Sequence, residues 1–532
     1  MGMLERFAGR IMLQSGWRRA LTAFLAGAFA VLALPPFDFF AAMFVSFPVL
    51  VWLLDGASPD PDRGFLGRCR PSFACGWWFG FGYFVAGLWW LGAALLVEAD
   101  SFAWAIPLAV LGLPALLAIF FGLGTTLARA IWSDGFGRIA ALAFGLTIAE
   151  WLRSFAFTGF PWNTIGYGAM PVPLAMQSVT VVGLIGVTLL AIVVFSVPAL
   201  VATRRGLFQG LSCASVIVAA HLGFGAYELS QAASDAAGAN AAIVRIVQPS
   251  IPQEMKWSAA ERDAIFNAHL ELTNRPPEVE GAVPSLIVWP ETSVPYILTE
   301  APRALGAIAE ALDDGQHLAA GAVRVDDSRP AAGTRYYNSI TVIGDGGEIT
   351  AAADKVHLVP FGEYLPFEDF LTSLGLSAIA ETPQGFSAAA ERTLLDIGET
   401  ITALPLICYE AIFPLDLAAI ESPPDIILNV TNDAWYGATP GPYQHFRQAQ
   451  IRALETRTPM VRAANNGISA VTDSYGRIVD GLALNAVGVI DAPIPERVVP
   501  NWNRTERMRN LWLLIGMILF VAIVSRASFN TQ

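Results

Sequence analysis

Three residues in the second half of the chain have the types that nucleophilic acyl transfer requires. They are Glu291 in Leu286-Ile-Val-Trp-Pro-Glu-Thr-Ser-Val-Pro295, Lys355 in Asp354-Lys-Val-His-Leu-Val-Pro-Phe-Gly-Glu363, and Cys408 in Leu406-Ile-Cys-Tyr-Glu410. Such chemistry needs a thiolate, a group that takes and returns its proton, and a cation or donor that holds the oxyanion of the tetrahedral intermediate. Taken singly, each has an ordinary reading. A glutamate after Trp-Pro caps a helix, a lone lysine sits in water, and a cysteine after a β-run packs as a small hydrophobe. Taken together, all three follow β-rich runs, where strand ends present side chains to a crevice.

The elements that must position them begin near residue 240, where the periodicity changes. Short β-rich runs at Ile243–Val247, Leu286–Trp289, Ser339–Ile343, Thr402–Ile407, Ile426–Val430 and Ile468–Thr472 predict buried strands. Helical patterns fall near Ala259–Thr273, Pro302–Leu312 and Tyr443–Thr456, so a layered α/β sandwich is expected over 240–500. Asn432 and Asp433 read as a turn that holds the loop beside Cys408, and Ala232–Asn240 as a linker. The apolar segment 364–379 between Pro366 and Gly375 reads either as a lid dipping into a bilayer surface or as an amphipathic helix packed on the domain.

Before this domain the chain is a different material. Overall it is 54% hydrophobic and 14% charged, against roughly 25% charge in soluble domains. Stretches of about 17 to 25 apolar residues can cross a bilayer core of about 30 Å. They are read near 19–35, 38–54, 73–97, 102–128, 138–155, 175–203, 207–226 and 510–526. The reading is therefore a polytopic α-helical membrane domain of about eight transmembrane helices, seven within 1–230 and one at 508–527. Arginines decide its orientation. Arg6, Arg10, Arg18, Arg19, Arg63, Arg68, Arg70, Arg129, Arg138, Arg204 and Arg205 fall in alternate connections, which places those on the cytoplasmic side and residues 228–509 outside.

The net charge of −13 gives no support for a phosphate-tracking surface, so no nucleic-acid partner is expected. The five histidines show no pair at ligand spacing, and no metal or cofactor is expected. Cys69, Cys75 and Cys213 lie in the apolar block and leave Cys408 alone in the α/β region.

The order Glu291, Lys355, Cys408 and their strand-end contexts resemble the nitrilase superfamily, which implies an αββα sandwich and a thioester intermediate. Trp289-Pro-Glu291, Lys355 to Glu363, Cys408-Tyr-Glu410, Asn432-Asp-Ala-Trp-Tyr-Gly437, Asn465-Asn-Gly-Ile468, Thr158-Gly-Phe-Pro-Trp162 and Gln248 to Trp257 are similar to the apolipoprotein N-acyltransferase family in particular. The resemblance implies Glu291 as general base, Lys355 as oxyanion stabiliser and Cys408 as nucleophile. It implies supporting roles for Glu363, Tyr409 and Glu410, and a substrate-facing loop for Trp257. It also implies a phospholipid acyl donor such as phosphatidylethanolamine, diacylglyceryl apolipoproteins as acceptors, and a bacterial inner-membrane location with the catalytic domain in the periplasm. Two other functions stand beside it: a membrane-tethered amidase or nitrilase acting on small amides, and a transporter with an external sensor domain. For transport the clearest intramembrane charges are Glu150 and Arg153, which sit near a helix end within reach of the interface.

Overall fold

The computed structural model describes residues 2–530 apart from 59–61, 63, 233–240, 257, 259, 278–282, 329–333, 367–384 and 415–422. The chain forms two compact units, Met1–Ala232 with Pro500–Gln532, and Ala233–Val499. Trp257, the linker beyond Ala232, and the 364–379 segment beyond Pro366 lie outside the described residues.

The second unit contains twelve described strands: β1 (Ile243–Gln248), β2 (Leu286–Val294), β3 (His317–Asp326), β4 (Arg335–Gly344), β5 (Ile349–Asp354), β6 (Leu395–Ile397), β7 (Ile401–Ile407), β8 (Ile426–Thr431), β9 (Met460–Ala464), β10 (Ser469–Thr472), β11 (Ile478–Leu482) and β12 (Gly488–Pro493). They make two six-stranded sheets, ordered β12-β1-β2-β3-β4-β5 and β11-β10-β9-β8-β7-β6. Strands β1, β2 and β3 run parallel, as do β7, β8 and β9, and the flanking strands are antiparallel.

Side-chain alternation along each strand builds four layers. Val244, Ile246, Leu286, Val288, Ile340 and Val342 of the first sheet pack with Ala403, Ile407, Leu428, Val430, Val461 and Val471 of the second. The opposite face of β2, Ile287 and Trp289, packs with Phe266 and Leu272 of the helix Arg262–Thr273 and Ile308 of the helix Pro302–Ala311. Leu404, Leu406 and Ile427 of the second sheet meet Phe446, Ala449 and Ala453 of the helix Pro440–Thr456. The result is the expected αββα sandwich. The helix Pro440–Thr456 starts where Pro440 needs no N–H partner and the Thr439 hydroxyl accepts from Gly441 N at 3.2 Å.

In the first unit a helix occupies part of every apolar stretch expected to span. Among the described residues, however, four are long and apolar enough to cross a bilayer by length and composition: Ala99–Ala130, Val179–Ala202, Leu207–Gln231 and Arg504–Ala527. The others are shorter or more polar. Gly16–Ala30 and Met43–Asp55 have 15 and 13 residues, Phe65–Leu88 carries Arg68 and Arg70, and Phe136–Arg153 carries Arg138, Glu150 and Arg153. The Glu150–Arg153 pair, at the end of its helix, is buried inside its unit. Arg153 donates to Glu150 and to the Trp162 carbonyl at 2.9 Å, while Glu150 accepts from Ile165 N at 3.2 Å. The pair is spent on orphan backbone groups of the loop that follows its helix.

Candidate active site

Glu291 lies in the second half of β2, and Lys355 and Cys408 directly follow β5 and β7; local geometry explains how each is delivered. β2 loses its register between Trp289 and Val294, across Pro290, which has no N–H to pair. Thr292 has a φ of 44°. The bulge lies so close to β3 that a Cβ on Gly321 would stand 2.3 Å from Pro290 O and 2.5 Å from Glu291 Cα, so only glycine fits there. Cys408 has a φ of 51°, at the point where β7 turns into a short 3-10 helix, Cys408–Ile412. A left-handed conformation at a non-glycine residue costs about 1–3 kcal/mol and persists only where its surroundings enforce it.

Glu291 is buried, and its two oxygens are engaged separately. Oε2 accepts from Asn432 N at 2.9 Å, while Oε1 accepts from Asn338 Nδ2 at 2.8 Å and faces Lys355 Nζ at 3.5 Å. Lys355, 1% exposed, donates to Glu363 Oε1 at 2.9 Å. Asn338 Nδ2 also donates to Glu363 Oε1 at 2.9 Å, and Glu363 Oε2 accepts from Val359 N at 2.8 Å. Burial alone would lower the Lys355 pKa. The Glu363 and Glu291 carboxylates outweigh it and hold it above the ordinary lysine value, so the group is an ammonium.

The Cys408 thiol is pushed up to about 12, first by burial and then by the Glu291 charge, against the opposing pull of Lys355 and a Thr431 hydrogen bond. At rest it is a thiol that must hand over its proton to react. The arrangement thus places a protonated thiol, a carboxylate and a fixed ammonium in one buried cluster.

Glu410 accepts from five donors. Ile407 N reaches it at 2.8 Å, Val356 N at 2.9 Å and His357 N at 3.1 Å, and Arg392 contributes two bonds at 2.9 and 3.0 Å. Burial would raise its pKa, but Arg392 and these donors lower it, and the carboxylate staples the Cys408 turn to the segment after Lys355. Tyr409 is buried against Phe413, with ring centroids 5.2 Å apart. Its hydroxyl is pushed above the usual value, chiefly by burial.

Sequence reasoning missed several members. Asn338 bridges the two carboxylates from mid-β4. Lys256 is buried and donates to the Glu291 carbonyl at 2.8 Å. Tyr436 directs its hydroxyl to the Cys408 side chain. Asn432 and Asp433 do form a turn, with the Asn432 side chain accepting from Ala434 N at 3.4 Å. Asn432 Nδ2 also donates to Gln253 Oε1 at 2.6 Å, and Asn465 ties the same turn to Ile251. No group of three or more potential metal ligands occurs among the described residues.

Comparison with known proteins agrees with this architecture. The carbon-nitrogen hydrolase family matches residues 243–504, and the apolipoprotein N-acyltransferase N-terminal domain matches 26–197. The chain is 56% identical to an apolipoprotein N-acyltransferase of Rhizobium rhizogenes, over 99% of this chain and 100% of that one. The chain belongs to the apolipoprotein N-acyltransferase family. A Brucella suis apolipoprotein N-acyltransferase is 58% identical over 98% of each chain. Among solved structures, Nit3 of Saccharomyces cerevisiae, of the nitrilase superfamily, is 17% identical with a TM-score of 0.37, covering 51% of this chain and 99% of that one. For an apolipoprotein N-acyltransferase family member, the paired αββα sheets and apolar helices are the parts to be assigned a task.

Proposed function

We propose that this chain transfers an acyl chain from a phospholipid to the α-amino group of the N-terminal S-diacylglyceryl-cysteine of lipoproteins, through a thioester on Cys408. The observation that carries the reading is the buried cluster in which Glu291 and the Lys355 ammonium both act on the Cys408 thiol. Membership of the family and the apolar helices support a lipid substrate.

In the first half-reaction Glu291 takes the Sγ proton as sulfur attacks the ester carbonyl. Lys355 neutralises the oxyanion, and collapse expels the lysophospholipid alcohol, which takes the proton from Glu291. In the second, the lipoprotein amine attacks the thioester, Glu291 accepts its proton, and the thiol is restored. Glu363 fixes Lys355, Glu410 fixes the nucleophile turn and Tyr409 supports it, and the family resemblance assigns Trp257 to contact with the substrate. Phosphatidylethanolamine is the expected donor. We read eight spans, seven within 1–230 and one at 508–527, in a bacterial inner membrane, with the catalytic domain 240–500 in the periplasm. The arginine asymmetry of the connections supports that orientation.

Purified protein mixed with phosphatidylethanolamine and no acceptor tests the reading. Intact mass should gain one acyl chain, released by hydroxylamine and absent in Cys408→Ala. An adduct on another cysteine, or lipoprotein acylation by Cys408→Ala at the normal rate, would refute it. Hydrolysis of small amides without any acyl adduct from phospholipid would favour the amidase reading.

A further inference from the structure

From the Cys408 carbonyl oxygen a chain of buried polar groups, which the acyl-transfer scheme leaves unused, runs through His445 and Asp433 to Arg462. His445, from the helix Pro440–Thr456, is wholly withdrawn from solvent. Its Nε2 lies 3.0 Å from the Cys408 carbonyl oxygen. A carbonyl oxygen only accepts, so Nε2 carries hydrogen and donates whatever the state of the rest of the ring. On the other side Nδ1 lies 2.8 Å from Asp433 Oδ1 and 3.2 Å from an Arg462 guanidinium nitrogen. Arg462 donates to Asp433 Oδ2 at 2.8 Å, to the Ile468 carbonyl at 3.2 Å, and to Asn429. Asp433 also accepts from the Thr431 hydroxyl at 3.0 Å. The imidazole is therefore held from three elements: the turn after β8, its own helix, and β9.

The placement of this chain against the strained residue gives it a task. Cys408 adopts a left-handed φ of 51°, which a side-chain-bearing residue does not keep unaided. A donor fixed to its carbonyl sets the plane of the Cys408–Tyr409 peptide, and with it the direction in which Cys408 projects Sγ and Tyr409 its N–H. We infer that His445, locked by Asp433 and Arg462, is a positioning residue for the acylation of Cys408, an inference that rests on the thioester reading. Its Nε2 donor goes to the Cys408 carbonyl oxygen. Its contribution is to hold the nucleophile peptide in the one orientation from which attack proceeds. The close approach of Gly467 belongs to the same device: a Cβ there would stand 2.2 Å from Asp433 Oδ2.

Two substitutions separate this role from general packing. In His445→Gln the side-chain amide nitrogen can take the place of Nε2 and keep the donor to the Cys408 carbonyl. In His445→Asn the shorter amide reaches Asp433 but not that carbonyl. Single-turnover acylation by phosphatidylethanolamine vesicles, followed by intact mass at several lipid concentrations, reads both. The Asn variant should form the acyl-enzyme about 100-fold more slowly with unchanged half-saturating lipid, and the Gln variant should stay within about 10-fold of the parent, the scale expected when a reacting group is misplaced by about 1 Å. Equal rates for the two variants, or a change confined to half-saturation, would overturn the inference. Should the Asn variant not fold, Gly467→Ala displaces Asp433 without removing a polar group and should slow acylation in the same way; an unaltered rate there also overturns it. Failure of the parent protein to form any adduct would instead strike the thioester reading, so the two failures are distinguishable.

Discussion

The Lys355 ammonium lies 2.9 Å from the Glu363 carboxylate, with the lysine buried and the glutamate partly so. Its distance to Glu291 is 3.5 Å, so the lysine's charge is balanced mainly by Glu363. This division is what the proposed role of Glu291 as a base requires. Glu363→Gln should draw Glu291 into direct pairing with Lys355 and slow acyl-enzyme formation by about 10²-fold, the lower end of what a placed general base contributes. Thermal melting belongs beside it, because breaking a buried pair costs about 3–5 kcal/mol. A folded Glu363→Gln protein that acylates at the parent rate would remove Glu363 from the scheme.

Lys355→Arg should be nearly as damaging as Lys355→Ala. The ammonium fits between the Glu363 and Glu291 oxygens as a compact point charge, and a planar guanidinium cannot place its donors there without moving them. A shift of about 1 Å in such a site costs about 100-fold in rate. Near-normal acylation by the Arg variant would sink the oxyanion role.

Gly321→Ala probes the bulge that carries Glu291. The new methyl would meet Pro290 O at 2.3 Å and Thr292 N at 2.6 Å, both main-chain atoms that no rotamer change can move aside. Overpacking of this kind costs about 1–3 kcal/mol. The β2 bulge must shift, so acylation should fall by at least about 10-fold in protein that still melts cooperatively. An unchanged single-turnover rate would mean that Glu291 tolerates displacement, which a general base within hydrogen-bond reach does not.

These residues also mark where the sequence was readable. Short β-rich runs announced β1, β2, β4, β7, β8 and β10, but not the inner strands β3 and β9. The outer strands β5, with Thr-Ala-Ala-Ala, and β11, largely exposed, have no strong apolar run and were passed over. Glu291 and Cys408 stood out because each closely follows a β-rich run in the sequence, and Lys355 because its type completes the set that acyl transfer needs. Asn338 and His445 did not, because each lies within a regular element and acts through partners dozens of positions away, a pairing that only the folded chain creates. Helix number was legible only in outline, since Phe136–Arg153 keeps charges inside its unit that length and composition alone count against a span.

Orientation has its own test. A reporter fused after Tyr227 should report the periplasm, and one after Arg205 the cytoplasm, because the arginine-bearing connections alternate with arginine-free ones. A cytoplasmic signal after Tyr227 would overturn both the span count and the access of the site to exported lipoproteins.

The sharpest expectation concerns opposite responses of one thiol. Burial and the Glu291 charge push Cys408 up to about 12, so little thiolate is present near pH 8, and alkylation by iodoacetamide, which follows the thiolate, should be slow. Glu291→Gln removes a charge that raises the thiol pKa. The thiolate fraction at a given pH should therefore increase and alkylation should quicken. The same substitution removes the group that takes the proton during attack, so acyl-enzyme formation from phospholipid should slow by about 10²–10⁴-fold. Lys355→Met removes a charge that lowers the thiol pKa, so it should slow alkylation as well as acylation. Subtracting the signal of Cys408→Ala isolates Cys408 from Cys69, Cys75 and Cys213. An electrostatic bystander at position 291 could give faster alkylation with undiminished acylation, and a collapsed site would depress both reactions in Glu291→Gln; only a base that also burdens the resting thiol moves them in opposite directions.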